Sequence, residues 1–231
     1  MHKKSKVKVC MFVPIYIVGT LLFLTGSCNK SNSGIVTDID GNVYHTVRVG
    51  SQVWMVENLK VTRYRNGNLI PNMTDTGQWC HLSFGAYCNY GNKASNIDTY
   101  GRLYNWYAIN DSRNIAPKGW HVPNYAELET LVNYLGGNTR AGSKMKEPGT
   151  VHWLYPNISA TNESGFTALP GGYRYKSDGS FHTIGSNGYW WTTMESFEIF
   201  SWDQMIFHHF ADVKREPKCK TYGFSVRCVK D

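Results

Sequence analysis

The chain has 231 residues, 42% of them hydrophobic, with 24 Lys+Arg against 17 Asp+Glu and a formal net charge of +7. Four of the cations, Lys3, Lys4, Lys6 and Lys8, precede an apolar run from Val9 to Leu24; without them the balance is close to neutral, which removes the compositional basis for binding nucleic acid. Aromatic residues at 14% and 22 glycines point to a single domain with many turns and a core built on rings.

Basic, apolar and small-residue stretches follow one another at the start, the order of a secretory signal. Leu24-Thr25-Gly26-Ser27-Cys28 reads as a lipobox, in which small residues admit a signal peptidase to the bond before an acylated Cys. An ordinary cleaved signal or a membrane anchor is the simpler alternative. The expected organisation is a lipoprotein signal peptide over 1–27, lipidated Cys28 with a polar tether over 28–34, and one domain over 35–231.

From Ile35 to Leu59 the β-favouring residues Val43, Val47, Val49 and Val53 are punctuated by Asp40-Gly41 and Gly50-Ser51, which predicts a meander of short strands. Asp38, Asp40 and Asn42 imitate the opening of a calcium loop. Val43 at the sixth position and Val49 at the twelfth deny it the turn and the bidentate ligand. Val61 to Asn96 reads as a long loop that needs pinning. Cys80 and Cys88 lie inside it, so a covalent tether is expected there.

Leu103, Trp106, Tyr107 and Asn110 fall at helical spacing. After Pro123, Asn124 and Glu127 form a capping box, and Leu128, Leu131, Val132 and Leu135 make one apolar stripe that ends at Gly136-Gly137. The glycines and Lys144 beyond it do not make a phosphate loop, because Ser143-Lys144-Met145 replaces the required Gly-Lys-Ser/Thr order. Asp178-Gly179 marks a hairpin tip. Strands are expected over Tyr189 to Thr193, Met205 to Phe210 and Phe224 to Val229. This order predicts an α+β domain with two helices, short antiparallel strands and long loops.

With Cys10 in the signal and Cys28 lipidated, Cys80, Cys88, Cys219 and Cys228 remain. In an exported domain they are expected to form two disulfides, with three connectivities open. Their spacings do not suit zinc. No metal and no cofactor is implied. No Gly-x-Ser-x-Gly phrase is present, and His208 and His209, adjacent on a strand, point to opposite faces. The chain is therefore expected not to be an enzyme. Trp153, Tyr155, Tyr173, Tyr175, Trp190 and Trp191 are the candidate ligand-binding aromatics, since sugar sites set ring faces against C–H surfaces.

Taken together, VWMVENLKVTRYRNG, AYCNYGN, YGRLYNWYAIN, APKGWHVPNYAELETLVNYLGG, ATNESGFTALPGGYR, GYWWTTME and GFSVRCVKD, in that order, resemble the Fibrobacter succinogenes major paralogous domain family. The resemblance implies a C-type-lectin-like or sulfatase-modifying-factor-like fold. It also implies an exported lipoprotein of a Gram-negative bacterium, lipid-anchored in the outer membrane or at the cell surface. From the family's AYC and VRC phrases it implies Cys88 paired with Cys228, leaving Cys80 for Cys219. It supplies no catalytic residues. The expected role is adhesion or ligand capture by a non-catalytic lectin-like domain, with the membrane as partner through the lipid and a glycan or an envelope or host protein as ligand. A carbohydrate-active or protein-modifying enzyme and a structural component of an envelope complex are the alternatives. The binding surface is expected between Tyr155 and Trp191.

Overall fold

A computed structural model describes residues 34–231. The expected signal peptide, Cys28 and most of the tether lie outside the described residues. The first turns form as their residues dictate. Strand β1 (Ile35–Thr37) pairs antiparallel with β2 (Val43–Val49) around Asp40-Gly41, and β2 pairs with β3 (Gln52–Met55) around Gly50. Short pieces follow: α1 (Thr76–Trp79), β4 (Tyr87–Cys88), α2 (Ile97–Tyr100), β5 (Leu103–Tyr104), α3 (Trp106–Ile109) and β6 (Trp120–His121). Two longer helices, α4 (Tyr125–Tyr134) and α5 (Asn138–Met145), precede the hairpin β7 (Tyr173–Arg174) and β8 (Phe181–His182). The long hairpin β9 (Asn187–Phe197) and β10 (Phe200–Phe207) comes next, then β11 (Val213–Lys214), β12 (Pro217–Cys219) and β13 (Val229–Lys230).

One sheet has the order β1-β2-β3-β13-β6, so the chain's last strand sits between β3 and β6. A second is built on β10, with β9 along one side and β11 and β12 on the other. Two-stranded ladders join β4 to β5 and β7 to β8.

This is a mostly β architecture with 18% helix, not the expected α+β domain of C-type-lectin-like or sulfatase-modifying-factor-like type. The reason is visible at Leu103 to Asn110, which was expected to be one helix. Leu103–Tyr104 pairs as a strand with Tyr87–Cys88, and Asn105 then caps a single turn by accepting from the Ala108 N–H. Helix α4 forms as expected, with the Asn124–Glu127 capping box in place and Leu128, Leu131 and Val132 buried. Of the expected strand Phe224 to Val229, only its end is β13; Phe224 and Ser225 instead bond to the backbones of Tyr104 and Tyr189.

Buried cations hold the loops. Arg174 is fully buried and donates to the carbonyls of Gly179, Met73, Thr74 and Asp75, with its guanidinium 4.4 Å from the Trp79 ring centroid. Arg227 donates to Asn58 Oδ1 and to the carbonyls of Phe166 and Thr167. Lys146 gathers the carbonyls of Ile158, Phe207 and Phe210. Burial lowers Arg227 to about 9 and Lys146 to about 8, so both remain largely protonated at pH 7. Arg65, although exposed, likewise donates to the carbonyls of Ala116, Pro117 and Trp120.

The disulfides expected between Cys88 and Cys228 and between Cys80 and Cys219 are not present: all four cysteines are free thiols. Cys88 is packed with Trp79, Leu82 and Leu103, whereas Cys228 belongs to the cluster of Tyr104, Trp120 and Val226. Each fills space as a small apolar side chain, and burial raises the Cys88 thiol to about 12. The long loop is pinned by Arg174 in place of a covalent tether. Among the described residues no helix is long and apolar enough to cross a membrane.

Two outcomes follow from these contacts. Arg174→Met leaves the Met73 and Gly179 carbonyls without a donor, while Thr74 keeps Asn92 and Asp75 keeps the Trp79 N–H; at ~1–3 kcal/mol for each group left unpaired, it should cost about 2 kcal/mol or more. A urea midpoint unchanged from wild type, or unaltered amide exchange over 73–79, would show that the guanidinium does not pin this loop. His121 lies between Asp231 (2.6 Å) and Glu127 (2.7 Å), tying the end of the chain and the cap of α4 to β6. Burial pulls the imidazole pKa down, but hydrogen bonds to the two carboxylates outweigh it and the net shift is upward. Its contribution is therefore complete below the unfolded value of ~6.5 and is lost as pH rises through the higher folded value. Denaturation of wild type and His121→Gln across that window should show a gap that narrows with rising pH; a constant gap contradicts the charged clamp.

Candidate functional site

Alternation along β7 and its extension sets the site. Arg174 points inward to the 73–75 carbonyls, so Tyr173 and Tyr175 on either side of it face the other way, both half-buried. The hairpin register puts Tyr173 opposite His182. Its tip closes at Asp178-Gly179, where Gly179 has φ +66° and a Cβ would meet the Thr76 carbonyl oxygen at 2.5 Å. Only glycine fits both the left-handed backbone and that approach.

The rings form one connected face. Tyr173 stacks on His182 at 5.3 Å, and Tyr175 meets the edges of His182 at 5.9 Å and Tyr222 at 5.5 Å. Tyr222 stacks on Phe224 at 5.2 Å, with Tyr189 stacked against the same ring at 5.1 Å. Phe224 and Tyr189 are core, while Tyr173, Tyr175 and Tyr222 are half-buried and His182 is exposed. Burial, then the neighbouring phenols, raise Tyr173 and Tyr222 above the usual tyrosine value. Both are neutral O–H groups at physiological pH.

Polar groups border this face. Asp178 accepts from the Ser180 backbone N–H and hydroxyl, which hold its carboxyl below the usual range. The Ser180 hydroxyl is also 2.7 Å from His182 Nε2. This differs from a nucleophile–base–orienter chain, because the carboxylate grips the serine and not the imidazole. Deeper in, Asp203 is fully buried; burial pushes it up to about 8, against the opposing pull of Lys218. Its Oδ1 accepts from the Glu216 N–H, while Oδ2 has no partner among the described residues. At pH 7 it is mainly a neutral carboxylic acid.

Of the six aromatics singled out from the sequence, the structure brings together Tyr173 and Tyr175. Trp153, Trp190 and Trp191 are core residues, at most 3% exposed. Their indole N–H groups are bound to the Ala168 carbonyl, Asn58 Oδ1 and the Tyr104 carbonyl respectively. They pack the core and are not ligand contacts. Tyr155 is 83% exposed on a different loop, where its carbonyl meets His208. His182 and Tyr222 were missed. The alternation of Tyr222 and Phe224 just before the final strand was the available signal, since one ring faces the core and the other its outer edge. Among the described residues no group of three or more His, Cys, Asp or Glu side chains is placed to hold a metal ion.

These features define a mostly β domain whose loops are held by buried cations and whose β7–β8 hairpin displays a half-exposed aromatic face. The chain belongs to the Fibrobacter succinogenes major domain family, whose model matches residues 47–230. No curated protein and no solved structure matches it. Membership of the family names neither a reaction nor a ligand.

Proposed function

We propose that this is a lipid-anchored protein of the outer membrane or cell surface whose domain binds a glycan without acting on it chemically. The observation that carries the reading is the face of Tyr173, Tyr175, Tyr222 and His182, four rings partly open to solvent and bordered by Asp178 and Ser180. Flat ring surfaces suit the C–H faces of a sugar, and phenol, imidazole and carboxylate groups suit its hydroxyls. Tyrosine also presents a large contact area with few rotatable bonds to immobilise. The anchor rests on the lipobox at Cys28 and the polar residues after it.

Glycan-array binding by a soluble Cys28→Ser form tests the ligand. Tyr175→Ala and Tyr222→Ala should each weaken binding about tenfold, a loss of ~1.4 kcal/mol, with circular dichroism unchanged. Silence across the array, or variants that bind like wild type, would sink the glycan reading. In cells, Cys28→Ser should stop incorporation of labelled palmitate and release the protein from the membrane fraction; continued labelling would remove the assigned anchor.

A further inference from the structure

The aromatic face does not end at Tyr222. A cleft of about 410 Å³ adjoins it, lined by Cys80, Tyr107, Lys176, Ile199, Cys219 and Thr221 among others. Lys176 follows Tyr175 in the chain, and Thr221 precedes Tyr222. Cys219 to Tyr222 is one tight turn, closed by the Tyr222 N–H donating to the Cys219 carbonyl at 3.0 Å, so the wall that Cys219 and Thr221 give the cleft opposite Tyr107 runs directly into Tyr222. Tyr107 is also a wall of a second cleft, of about 430 Å³, whose other sides include Phe84, Gly85, Asn110, Asp111 and Arg113.

The far cleft has its own recognition chemistry. Phe84 is 51% exposed, so its ring face is open to solvent at this cleft. Asp111 and Arg113 form a two-pronged pair at 2.8 and 2.7 Å, and the guanidinium lies 3.9 Å from the Tyr64 ring centroid. Their charges cancel, yet both groups are held in fixed positions as donor and acceptor. Asn110 adds an exposed amide. A ring face beside a neutral, preorganised set of polar groups suits a polyhydroxylated ligand better than an ion. Each cleft alone lies in the lower half of the range usual for small-ligand sites, ~300–1,000 Å³.

We infer that the tyrosine face, the Cys219 cleft and the Phe84 cleft form one continuous groove, and that its ligand is an extended oligosaccharide chain and not a single sugar. This rests on the glycan reading above and goes further in assigning ligand length and a second recognition end. Tyr107 is the joint between the two clefts, and Phe84 with Asn110 marks the end remote from Tyr175.

Titration with oligosaccharide ladders of β-1,4-glucan, β-1,4-xylan and α-1,4-glucan, from disaccharide to hexasaccharide, decides it. On any ladder that binds, affinity should rise at least about tenfold with length. Phe84→Ser and Asn110→Ala, both at exposed positions, should remove that gain while leaving disaccharide binding intact; Tyr175→Ala should weaken every length. Equal affinity at all lengths, with Tyr175→Ala still damaging, overturns the groove and leaves the local glycan site standing. Length dependence unaffected by either far-end variant also overturns it. Failure of every ladder to bind, together with a silent glycan array, removes both the groove and the reading beneath it.

Discussion

Buried cations that collect backbone carbonyls are the constraint on which this fold depends. With most elements only two to four residues long, ladders cannot satisfy the backbone of the connecting segments, and an unpaired buried carbonyl is costly. Arginine answers this with five N–H donors in a fixed fork. Arg174 serves four carbonyls from two separate segments, and Arg227 joins Asn58 to the 166–167 turn. Desolvating each charge is expensive, and several charge-assisted hydrogen bonds offset the cost only when all are made together. The rings complete the arrangement: Trp79 and Phe181 flank Arg174, while Phe166 and Trp190 lie against Arg227. The aromatic richness of the chain is thus partly a requirement of its buried cations.

Local chemistry was legible in the sequence wherever a few adjacent residues decide the structure. Asn124 with Glu127 announced helix α4, and Asp40-Gly41, Gly50 and Asp178-Gly179 announced their turns. What could not be read depends on partners far away. Strand β5 exists because Tyr87 and Cys88 lie beside it, and β13 takes its place between β3 and β6, both far upstream in the chain. Trp190 and Trp191 look the same in sequence as Tyr173 and Tyr175. Their burial is decided by acceptors at Asn58 and Tyr104, more than eighty residues distant. The cysteines show the same limit. Their even number in an exported-looking chain suggested covalent staples, yet Cys88 and Cys228 occupy different hydrophobic clusters and a guanidinium holds the loop between Cys80 and its surroundings.

The same dipeptide alternation links that scaffold to the candidate site. Arg174 cannot point inward without sending Tyr173 and Tyr175 outward, so one residue's backbone conformation serves both loop pinning and the display of the aromatic face. The hairpin has a second lock at its tip, where the Arg174 Nε–H is donated to the Gly179 carbonyl and Gly179 packs directly on Thr76. Helix α1 therefore touches the tip while Arg174 binds the residues just before that helix. Loop, hairpin and aromatic face form one mechanical unit.

Rigidity of this kind has a consequence for affinity. A surface ring on a mobile loop must surrender its freedom when it binds, at ~0.5–1.5 kcal/mol for each side chain immobilised. Tyr173 is already held between His182 and Tyr189, and Tyr175 between His182 and Tyr222. Much of that cost is met during folding, by the same burial that stabilises the domain. The solvent-facing parts of these rings can then contribute to weak, repeated contacts along a chain-like ligand, where no single contact has to be strong. Under the proposed lipid anchor, tethering raises the local concentration of sites and allows modest individual affinities to add up.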